Sequence, residues 1–478
     1  MGVNMRTISS VCCSILLFWT MAAQAGLPDS VAQALREAHV DENKVAVFVQ
    51  AVDETQPVID HNAEAAMNPA STMKLLTTYA GLELLGPDYR WRTEVYTDGA
   101  LQDGVLEGDL ILKGDGDPYF MAADLWRLLG RLREMGIRDI RGDLVLDGTY
   151  FALRSDDPGA FDNEPYRAYN ATPAALLTNL KSTTFRFRPQ DNGQLAITAE
   201  PGLPQISIVN NMEVSTAACP GWRNGLDYDV VPLAAATPAR EVSISFSGTY
   251  YASCGEHEFE LSLLDEASYA YGLFSKLWHQ LGGSFEGGLR QQATPPTAIP
   301  LLAQESRPLG EIVRYINKYS NNLMARQLLL TIAAESSGLP AAEVEGAIAV
   351  KAWLASKQLD FPELVIENGA GLSRVERISA EHLGALLLAA YASPAMPELM
   401  ASLPILSVDG TLRRRMHDSP AEGHGHIKTG SLDDTRAIAG YVLDAHGQRW
   451  VVVFMANDAR AVYTRDAQDA LVEWVYRH

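Results

Sequence analysis

The sequence predicts an α/β (α+β) fold, in which one domain of antiparallel sheet and helices is interrupted by a large, mainly β insertion. Three observations support this prediction. A β-hairpin pattern followed by a helix pattern occupies residues 26–91. Between residues 92 and 300 the pattern changes to many short strands. Helices followed by strands return in residues 301–478, so the two outer parts are expected to form one domain.

The first 25 residues predict a secretory signal peptide. Arg6 supplies a positive charge, residues 11–21 form an apolar run, and Ala23-Gln24-Ala25 fits a small-x-small cleavage site. The apolar run is short for a membrane span, although an uncleaved anchor is the alternative. Beyond the signal, no apolar stretch in the sequence approaches the length of a spanning helix. We therefore expect export to the periplasm, with at most loose wall or membrane association and no transmembrane anchor after cleavage.

The first part of the mature chain is predicted to contain a hairpin and one helix. Residues 44–52 alternate and are rich in β-branched side chains, and residues 56–60 continue after a short polar turn. A helix is predicted over residues 71–85, because Pro69 lies near its start and Gly86 lies just past its end.

The middle part, residues 92–300, is predicted to be an insertion of two nested subdomains. Residues 163–191 are expected to be loop-rich, and the Pro-rich residues 293–297 are expected to form a linker. Regular patterns predict strands at 110–113, 143–146, 242–247 and 258–264, and a helix at 122–135.

The last part, residues 301–478, is predicted to contain helices and then a sheet. A helical pattern over residues 309–334 is broken near Ser320, and residues 444–447 (Asp-Ala-His-Gly) form a favourable hairpin turn. The remaining patterns predict helices at 341–356, 380–390 and 466–477, and strands at 425–431, 437–443 and 449–455.

Length, charge and cysteine content limit the classes of function. A chain of 478 residues is too long for one average domain. Its net charge of −21 argues against a nucleic-acid partner, because phosphate backbones are bound by basic patches. Cys219 and Cys254 remain after the signal and could pair in an oxidising compartment, but the sequence leaves open whether they come close enough.

Ser71 and Lys74 are candidates for a nucleophile and its base. Residues three apart lie on one face of a helix, so Lys74 can reach the hydroxyl of Ser71. An ordinary lysine, with a pKa of about 10.4, is almost entirely protonated at neutral pH. Lys74 must therefore be buried or lie near another cation, and Lys428 is the candidate for that cation. Ser71 at a helix N-terminus also places backbone N–H groups near a developing oxyanion.

Two further short motifs follow in the chain, at residues 320–322 (Ser-Asn-Asn) and 428–430 (Lys-Thr-Gly). Taken alone, the first also fits a turn or a helix cap, and the second fits a strand that ends in a turn. The first motif opens a helix, the second lies between helices and the third lies on a strand that leads into a hairpin. This order and context favour one catalytic site over three unrelated segments.

The three motifs resemble those of the penicillin-recognising serine enzymes. The long stretch between the first two makes the chain similar to the class C low-molecular-mass penicillin-binding proteins, the D-alanyl-D-alanine carboxypeptidase/endopeptidases. Residues 114–118, 368–374 and 408–412 also resemble family segments, so the resemblance covers nearly the whole mature chain. It implies a serine β-lactamase/penicillin-binding transpeptidase-like domain with an all-helical part.

Asn321 and Ser431 depart from the family, which often has Asp and Thr there, but neither change removes a needed group.

The resemblance implies catalytic roles for four residues. Ser71 is the nucleophile that forms an acyl-enzyme, and Lys74 is its general base. Ser320, held by Lys74 and Asn322, relays the proton to the leaving amine. Asn322 is also expected to bind the substrate peptide.

The resemblance also implies a substrate-binding strand. Lys428, Thr429 and Ser431 are expected to bind the terminal carboxylate, with Gly430 between them. The backbone N–H groups of Ser71 and Ser431 are expected to form the oxyanion hole.

The predicted function is that of an exported serine-type D-Ala-D-Ala carboxypeptidase and D,D-endopeptidase. Its expected partners are peptidoglycan stem peptides ending in D-Ala-D-Ala and their cross-links, with β-lactams as inhibitors. The alternatives are a non-catalytic peptidoglycan- or partner-binding module and a β-lactamase or esterase. No cofactor or metal is expected, because His424 and His426 lack a third ligand nearby in the sequence.

Overall fold

A computed structural model of the chain describes residues 26–153, 157–234 and 239–478. The predicted signal peptide, residues 1–25, lies outside these described residues. The first part of the chain forms α1 (Asp29–Ala38), β1 (Val45–Ala51), β2 (Ile59–His61) and α2 (Lys74–Leu84).

The middle part is mainly β, and its described residues form four sheets. Its elements are β3 (Arg92–Thr97), β4 (Ala100–Gln102), β5 (Val105–Glu107), β6 (Leu110–Gly114), α3 (Ala122–Glu134), β7 (Asp139–Ile140), β8 (Leu144–Asp147), β9 (Thr183–Pro189), β10 (Leu195–Glu200), β11 (Ile206–Ser215), β12 (Leu226–Leu233), β13 (Glu241–Tyr251), β14 (His257–Leu261), α4 (Glu266–Gln280), β15 (Ser284–Phe285), β16 (Leu289–Gln291) and β17 (Ile299–Glu305). The strand orders are β16-β8-β6-β3-β17, β15-β7-β5-β4, β10-β9-β14 and β11-β13-β12.

The last part returns to helices and then supplies most of a fifth sheet. Its elements are α5 (Leu309–Tyr319), α6 (Asn322–Ser337), α7 (Glu343–Ser356), α8 (Ala380–Tyr391), α9 (Met396–Ser402), β18 (Gly425–Leu432), β19 (Thr435–Leu443), β20 (Arg449–Asn457) and α10 (Arg465–Arg477). The fifth sheet is antiparallel, with the order β18-β19-β20-β1-β2, so the first hairpin of the chain extends the last three strands.

Strand β1 is buried along its whole length because helices cover both faces of this sheet. Ala46 and Phe48 pack in one core with residues of α8, whereas Val45, Val47 and Val49 pack in another core with residues of α1 and α10. Alternate side chains of a strand point to opposite faces, so an almost entirely apolar strand suits this central position.

Helix α2 lies at the centre of the helical part. Every residue from 74 to 82 is buried, including Lys74. A helix covered on all sides shows no amphipathic stripe, and its polar residues need partners inside the protein. This placement removes the Lys74 side chain from water.

Helix α6 contacts the inserted part through a fully buried amide. Gln327 Nε2 donates to the carbonyl oxygens of Gly116 at 3.1 Å and Ala174 at 2.9 Å. Its Oε1 accepts from the N–H of Ala174 at 3.1 Å. These bonds attach two segments of the insertion to the helix that begins at Asn322.

The predicted α/β (α+β) fold class and most of the predicted elements are confirmed. The hairpin, the break at Ser320 and the three C-terminal strands lie where the sequence predicts them. Cys219 and Cys254 form a disulfide with their Cα atoms 5.0 Å apart, which answers a question that the sequence left open. Within the described part of the chain, no helix is both long enough and apolar enough to span a membrane.

The prediction that residues 163–191 are loop-rich is wrong in part, because they contain β9. In this strand Phe185 and Phe187 are buried, and they alternate with arginines. That alternation is a strand pattern. The polar residues on either side of it obscured the pattern in the sequence.

The prediction of a linker at residues 293–297 is also wrong. The segment is a short connection between β16 and β17 of one sheet, and Asp147 accepts hydrogen bonds from Thr294 N at 2.8 Å and Thr294 Oγ1 at 2.6 Å. These hydrogen bonds to Asp147 hold the segment in place, and the Pro-rich composition on which the linker prediction rests does not reveal them. The predicted boundary after residue 300 falls inside β17, where Glu305 pairs with Arg92.

Candidate active site

Ser71 lies in a short 3-10 turn, Ala70–Met73, that leads directly into α2. Ala70 precedes it with a left-handed backbone (φ 45°), a conformation that costs a non-glycine residue energy and often marks a functional site. Ser71 is half-buried, and Lys74 Nζ lies 3.0 Å from its Oγ. The predicted pairing of a hydroxyl and an amine three residues apart is therefore present.

The Lys74 amine is enclosed by three acceptors. Nζ donates to Ser71 Oγ, to Asn322 Oδ1 at 2.7 Å and to the carbonyl oxygen of Ala370. Burial lowers the pKa of Lys74 to about 7, although the charge of Glu376 opposes this fall. Near neutral pH, a large fraction of Lys74 is thus neutral and able to accept a proton.

The second motif lies at the junction of α5 and α6. Ser320 ends α5 with a left-handed backbone (φ 56°), and Asn321 caps α6 by accepting the N–H of Met324 at 2.9 Å. Asn322 Oδ1 reaches Lys74, while its Nδ2 donates to the carbonyl oxygen of Tyr169 at 3.2 Å. In this turn, the side chain of Asn321 therefore stabilises the start of α6, and the side chain of Asn322 points into the site.

Ser320 has a different partner from the one that we expected. Its Oγ accepts from Lys428 Nζ at 2.8 Å, whereas the family resemblance implies that Lys74 and Asn322 hold it. The left-handed end of α5 turns this hydroxyl towards β18. Ser320 thus lies on the Lys428 side of the pocket.

The third motif lies on β18, at the edge of the sheet beside Ser71. The Lys428 side chain is fully buried, and its Nζ also donates to the carbonyl oxygen of Thr429 at 2.8 Å. Burial and the charge of Lys74 lower the pKa of Lys428 well below its ordinary value. We expected Lys428 to lower the pKa of Lys74, but burial is the main cause there.

Gly430 allows β18 to approach the nucleophile. A Cβ at this position would lie 2.6 Å from the carbonyl oxygen of Pro69 and 3.1 Å from the nitrogen of Ser71. Only glycine fits this approach without displacing the turn that carries Ser71. The next residue, Ser431, is exposed on the same strand.

The structure therefore brings seven of the eight predicted site residues close together. They are Ser71, Lys74, Ser320, Asn322, Lys428, Thr429 and Gly430. The eighth, Ser431, follows Gly430 on β18 and is exposed. His424 and His426 do not take part, since His424 packs on Tyr476 and His426 Nδ1 contacts the carbonyl oxygen of Met400. No cluster of metal-ligating side chains occurs in the ranges that the structure describes.

Several contacts of the site could not be found from the motifs. Ala370 and Tyr169 contribute backbone carbonyl oxygens, and Thr411 contributes a hydroxyl 2.9 Å from Thr429 Oγ1. Ala370 and Thr411 lie in family-like segments whose residues read as ordinary turns. Tyr169 lies in the middle part, where the sequence carried no signal for it.

Comparison with known proteins gives a consistent result. A family model described as the D-Ala-D-Ala carboxypeptidase 3 (S13) family matches residues 27–478. The chain is 31% identical over 395 residues to the D-alanyl-D-alanine carboxypeptidase of Actinomadura sp. (strain R39), covering 80% of this chain and 71% of the relative. It is 26% identical over 420 residues to D-alanyl-D-alanine carboxypeptidase DacB of Haemophilus influenzae, covering 87% and 85%.

Solved structures show the same fold. Penicillin binding protein 4 (dacB) from Haemophilus influenzae has a TM-score of 0.77 at 24% identity, covering 94% of this chain and 99% of that chain. A crystal structure of the same protein, complexed with a novel β-lactam, has a TM-score of 0.73 at 23% identity, covering 94% and 100%.

Proposed function

This chain belongs to the D-Ala-D-Ala carboxypeptidase 3 (S13) family, and on that premise we propose that Ser71 forms an acyl-enzyme with peptidoglycan peptides that end in D-Ala-D-Ala. The chain is a serine-type peptidase. One observation carries the proposal: Ser71 Oγ, Lys74 Nζ and Asn322 form a line of contacts beside the pair of Ser320 and Lys428. A binding module without catalysis has no need of an amine desolvated beside a serine hydroxyl.

Acylation begins with proton transfer. Neutral Lys74 takes the proton of the Ser71 hydroxyl, and the oxygen attacks the carbonyl carbon between the two D-alanines. The negative charge that develops on the carbonyl oxygen is stabilised by the backbone N–H groups of Ser71 and Ser431. Loss of one such donor typically lowers a rate by about 100- to 1,000-fold.

The second step expels the leaving amine. The proton held by Lys74 passes to that amine through Ser320, whose Oγ accepts a hydrogen bond from Lys428 Nζ at 2.8 Å. Asn322, which contacts Lys74, holds the substrate peptide in line with Ser71. Water then attacks the ester carbon while Lys74 takes a proton from it. The bond from that carbon to Ser71 Oγ breaks, and Lys74 returns the proton to Ser71.

Lys428, Thr429 and Ser431 bind the carboxylate of the terminal D-alanine. A carboxylate placed beside Lys428 Nζ favours the charged amine, so substrate binding raises the lowered pKa of Lys428. Thr429 Oγ1 and Ser431 Oγ supply neutral hydrogen bonds to the same group.

The acyl part of the substrate occupies a cleft beside residues 367–375. This cleft has a volume of about 730 Å³ and is lined by Phe161 and Asn170 of the inserted part and by Arg374, among others. Arg374 lies over the Phe161 ring at 4.2 Å, so the cleft offers a cation and an aromatic face to a peptide. A cleft of this size can hold the peptide on the acyl side of the bond, in both the removal of a terminal D-alanine and the cleavage of cross-links that we propose.

Penicillin acts as an inhibitor because it presents a reactive carbonyl and a carboxylate to the same groups. The β-lactam complex of the Haemophilus protein supports this part of the proposal.

The enzyme acts outside the cytoplasm, after cleavage of the signal before Gly26. N-terminal sequencing of the protein from a periplasmic extract tests that cleavage.

Fluorescent penicillin tests the catalytic proposal. We expect the purified protein to form a stable adduct at Ser71, detected on a denaturing gel and located by mass spectrometry, and to release D-alanine from a D-Ala-D-Ala peptide. Ser71→Ala should abolish both. Ser356→Ala is the matched control, because Ser356 Oγ donates to the carbonyl oxygen of Trp353 within α7 and makes no other hydrogen bond among the described residues.

Other outcomes would point to another function. A short-lived adduct with hydrolysed penicillin would indicate a β-lactamase. Turnover of simple esters alone would indicate an esterase. A protein that binds peptidoglycan but forms no adduct would be a binding module, and the proposed function would be wrong.

A further inference from the structure

Glu376 is a fully buried carboxylate near the active site, and no step of the proposed reaction uses it. It follows the family-like segment at residues 368–374, and it was not among the predicted site residues. A buried carboxylate is costly unless it is well paired, so its partners indicate what it does.

Among the described residues, the hydrogen bonds of the Glu376 carboxyl group come from backbone donors of its own loop. Oε1 accepts the N–H groups of Glu367 at 3.1 Å, Asn368 at 3.0 Å and Gly369 at 2.8 Å. Oε2 accepts the N–H of Gly371 at 2.9 Å. An ionised carboxylate only accepts hydrogen bonds, so four N–H donors match the charged form.

The last two of these donors flank Ala370. The N–H of Gly371 belongs to the same peptide unit as the Ala370 carbonyl, so Glu376 fixes the plane of that peptide. The N–H of Gly369 lies two peptide units earlier, and its bond to Glu376 holds the approach to Ala370. The carbonyl oxygen of Ala370 accepts from Lys74 Nζ. Glu376 thus sets the direction of one of the three acceptors that surround the amine.

The same loop is attached to α2 at two other points. Thr77 Oγ1 donates to the carbonyl oxygen of Gly369 at 2.7 Å. Gly371 has a left-handed backbone (φ 76°), and a Cβ there would overlap the carbonyl oxygen of Ala70, next to the nucleophile. Loop and helix are therefore in contact from Ala70 to Thr77.

Two charged groups face Lys74 from neighbouring elements: Glu376 from the loop and Lys428 from β18. Helix α6 contributes the uncharged amide of Asn322. Burial raises the pKa of Glu376, but the backbone N–H donors and the charge of Lys74 oppose that rise. The anion in turn favours the protonated form of Lys74 and so raises its pKa against the effect of burial.

We infer that Glu376 is a positioning residue for the base. Its carboxylate orders the loop that points the Ala370 carbonyl at Lys74, and its charge stabilises the ammonium formed when Lys74 takes the proton of Ser71. The inference rests on the proposed function, because it takes Lys74 as the base. No further atom or electron is involved, since the proton moves from Ser71 Oγ to Lys74 Nζ and then to the leaving amine.

Glu376→Gln tests both parts of this role. The variant keeps the shape of the side chain but removes the charge and one acceptor. We expect the maximal rate of acylation by fluorescent penicillin to fall about 10- to 100-fold, because the acceptor at Lys74 is no longer held. We also expect the acid limb of the pH profile to move to lower pH, because Lys74 loses the anion that favours its protonated form.

Two further variants separate position from charge. Glu376→Asp keeps the charge on a shorter side chain, and Thr77→Val removes the other link of the loop to α2. Both variants should lower the maximal rate of penicillin acylation and leave the acid limb of its pH profile at the wild-type pH. Glu363→Gln is the matched control: Glu363 is a half-buried carboxylate that accepts the N–H of Ser379 at 2.8 Å, and its loss should change neither quantity.

Thermal unfolding of each variant shows whether it is folded. A Glu376→Gln variant with the maximal rate and the acid limb of the wild type would overturn the inference. A variant whose rate falls equally at every pH, so that the acid limb does not move, would also overturn it. If this variant does not fold, an unchanged rate in Thr77→Val would overturn the role of the loop. If the wild type is not acylated at Ser71, the proposed function itself fails; if only the variants disagree, this inference alone fails.

Discussion

At the scale of single residues, the site gives two lysines different chemistry. Lys74 lies among Ser71, Asn322 and Ala370, and burial lowers its pKa to about 7, which suits a base. Lys428 bonds Ser320 and lies on the strand proposed to receive a carboxylate. The two side chains are chemically identical, so their roles follow from their surroundings.

The pH dependence of acylation follows from the Lys74 environment. The neutral base is present above the pKa of about 7 and is lost as the pH falls through it, so the rate of penicillin acylation should fall below about pH 7.

Lys74→Arg should lower the rate about 100-fold or more at every pH, because a guanidinium stays protonated. Time courses of adduct formation between pH 5 and 9 measure both effects. Lys351→Arg, an exposed change on α7, is the control. A Lys74→Arg variant that reacts at the wild-type rate would contradict this role.

At the scale of elements, the first two motifs lie where helices begin or end. Ser71 lies in the turn that leads into α2, Ser320 ends α5 and Asn322 begins α6. Such positions let short segments turn side chains towards a common pocket while the rigid elements hold them in place. β18 adds its edge to this arrangement, and Gly430 provides the space for it.

The cap of α6 can be tested separately from the chemistry. Asn321→Ala removes the acceptor for the N–H of Met324 and should lower the free energy of unfolding by about 1 kcal/mol. Asn321→Asp should retain both stability and acylation, because aspartate caps a helix equally well. Urea denaturation and penicillin labelling measure the two quantities. Equal stability of Asn321→Ala and the wild type would show that the cap contributes nothing.

At the scale of the whole molecule, we propose that residues 26–91 and 301–478 form one domain and that residues 92–300 form an insertion of two nested subdomains. The apolar cores support the separation of the insertion from the outer parts, since one large core lies within the insertion and two others lie within the outer parts. Two small clusters connect the insertion to α6. The chain enters and leaves the insertion at one place, because Arg92 of β3 pairs with Glu305 of β17.

The disulfide offers a test of this division. It joins Cys219 and Cys254 within the insertion, 35 residues apart in the chain. Replacing both cysteines by serine should destabilise the insertion by about 2 to 4 kcal/mol. Calorimetry should show one transition at lower temperature, while penicillin labelling persists to the same temperature as in the wild type. Loss of labelling together with the first transition would show that the parts unfold as one unit.

The sequence by itself determined the elements and the reactive residues. Periodicity is local, so the hairpin at residues 44–60 and the helices around Ser320 could be predicted from neighbouring residues alone. The motif residues could be predicted because their order resembles that of a known family. The strand at residues 183–189 was missed because its polar flanks outweighed four alternating residues.

Only the tertiary structure decided what surrounds those residues. The Ala370 carbonyl, the buried Glu376 and the Tyr169 carbonyl come from segments far from Ser71 in the chain, and neither carbonyl depends on a distinctive side chain. Burial, which sets the pKa of Lys74, is a property of the packed helices around α2. Contacts between distant segments carry no local pattern, so the environment of the base becomes visible only when the chain is folded.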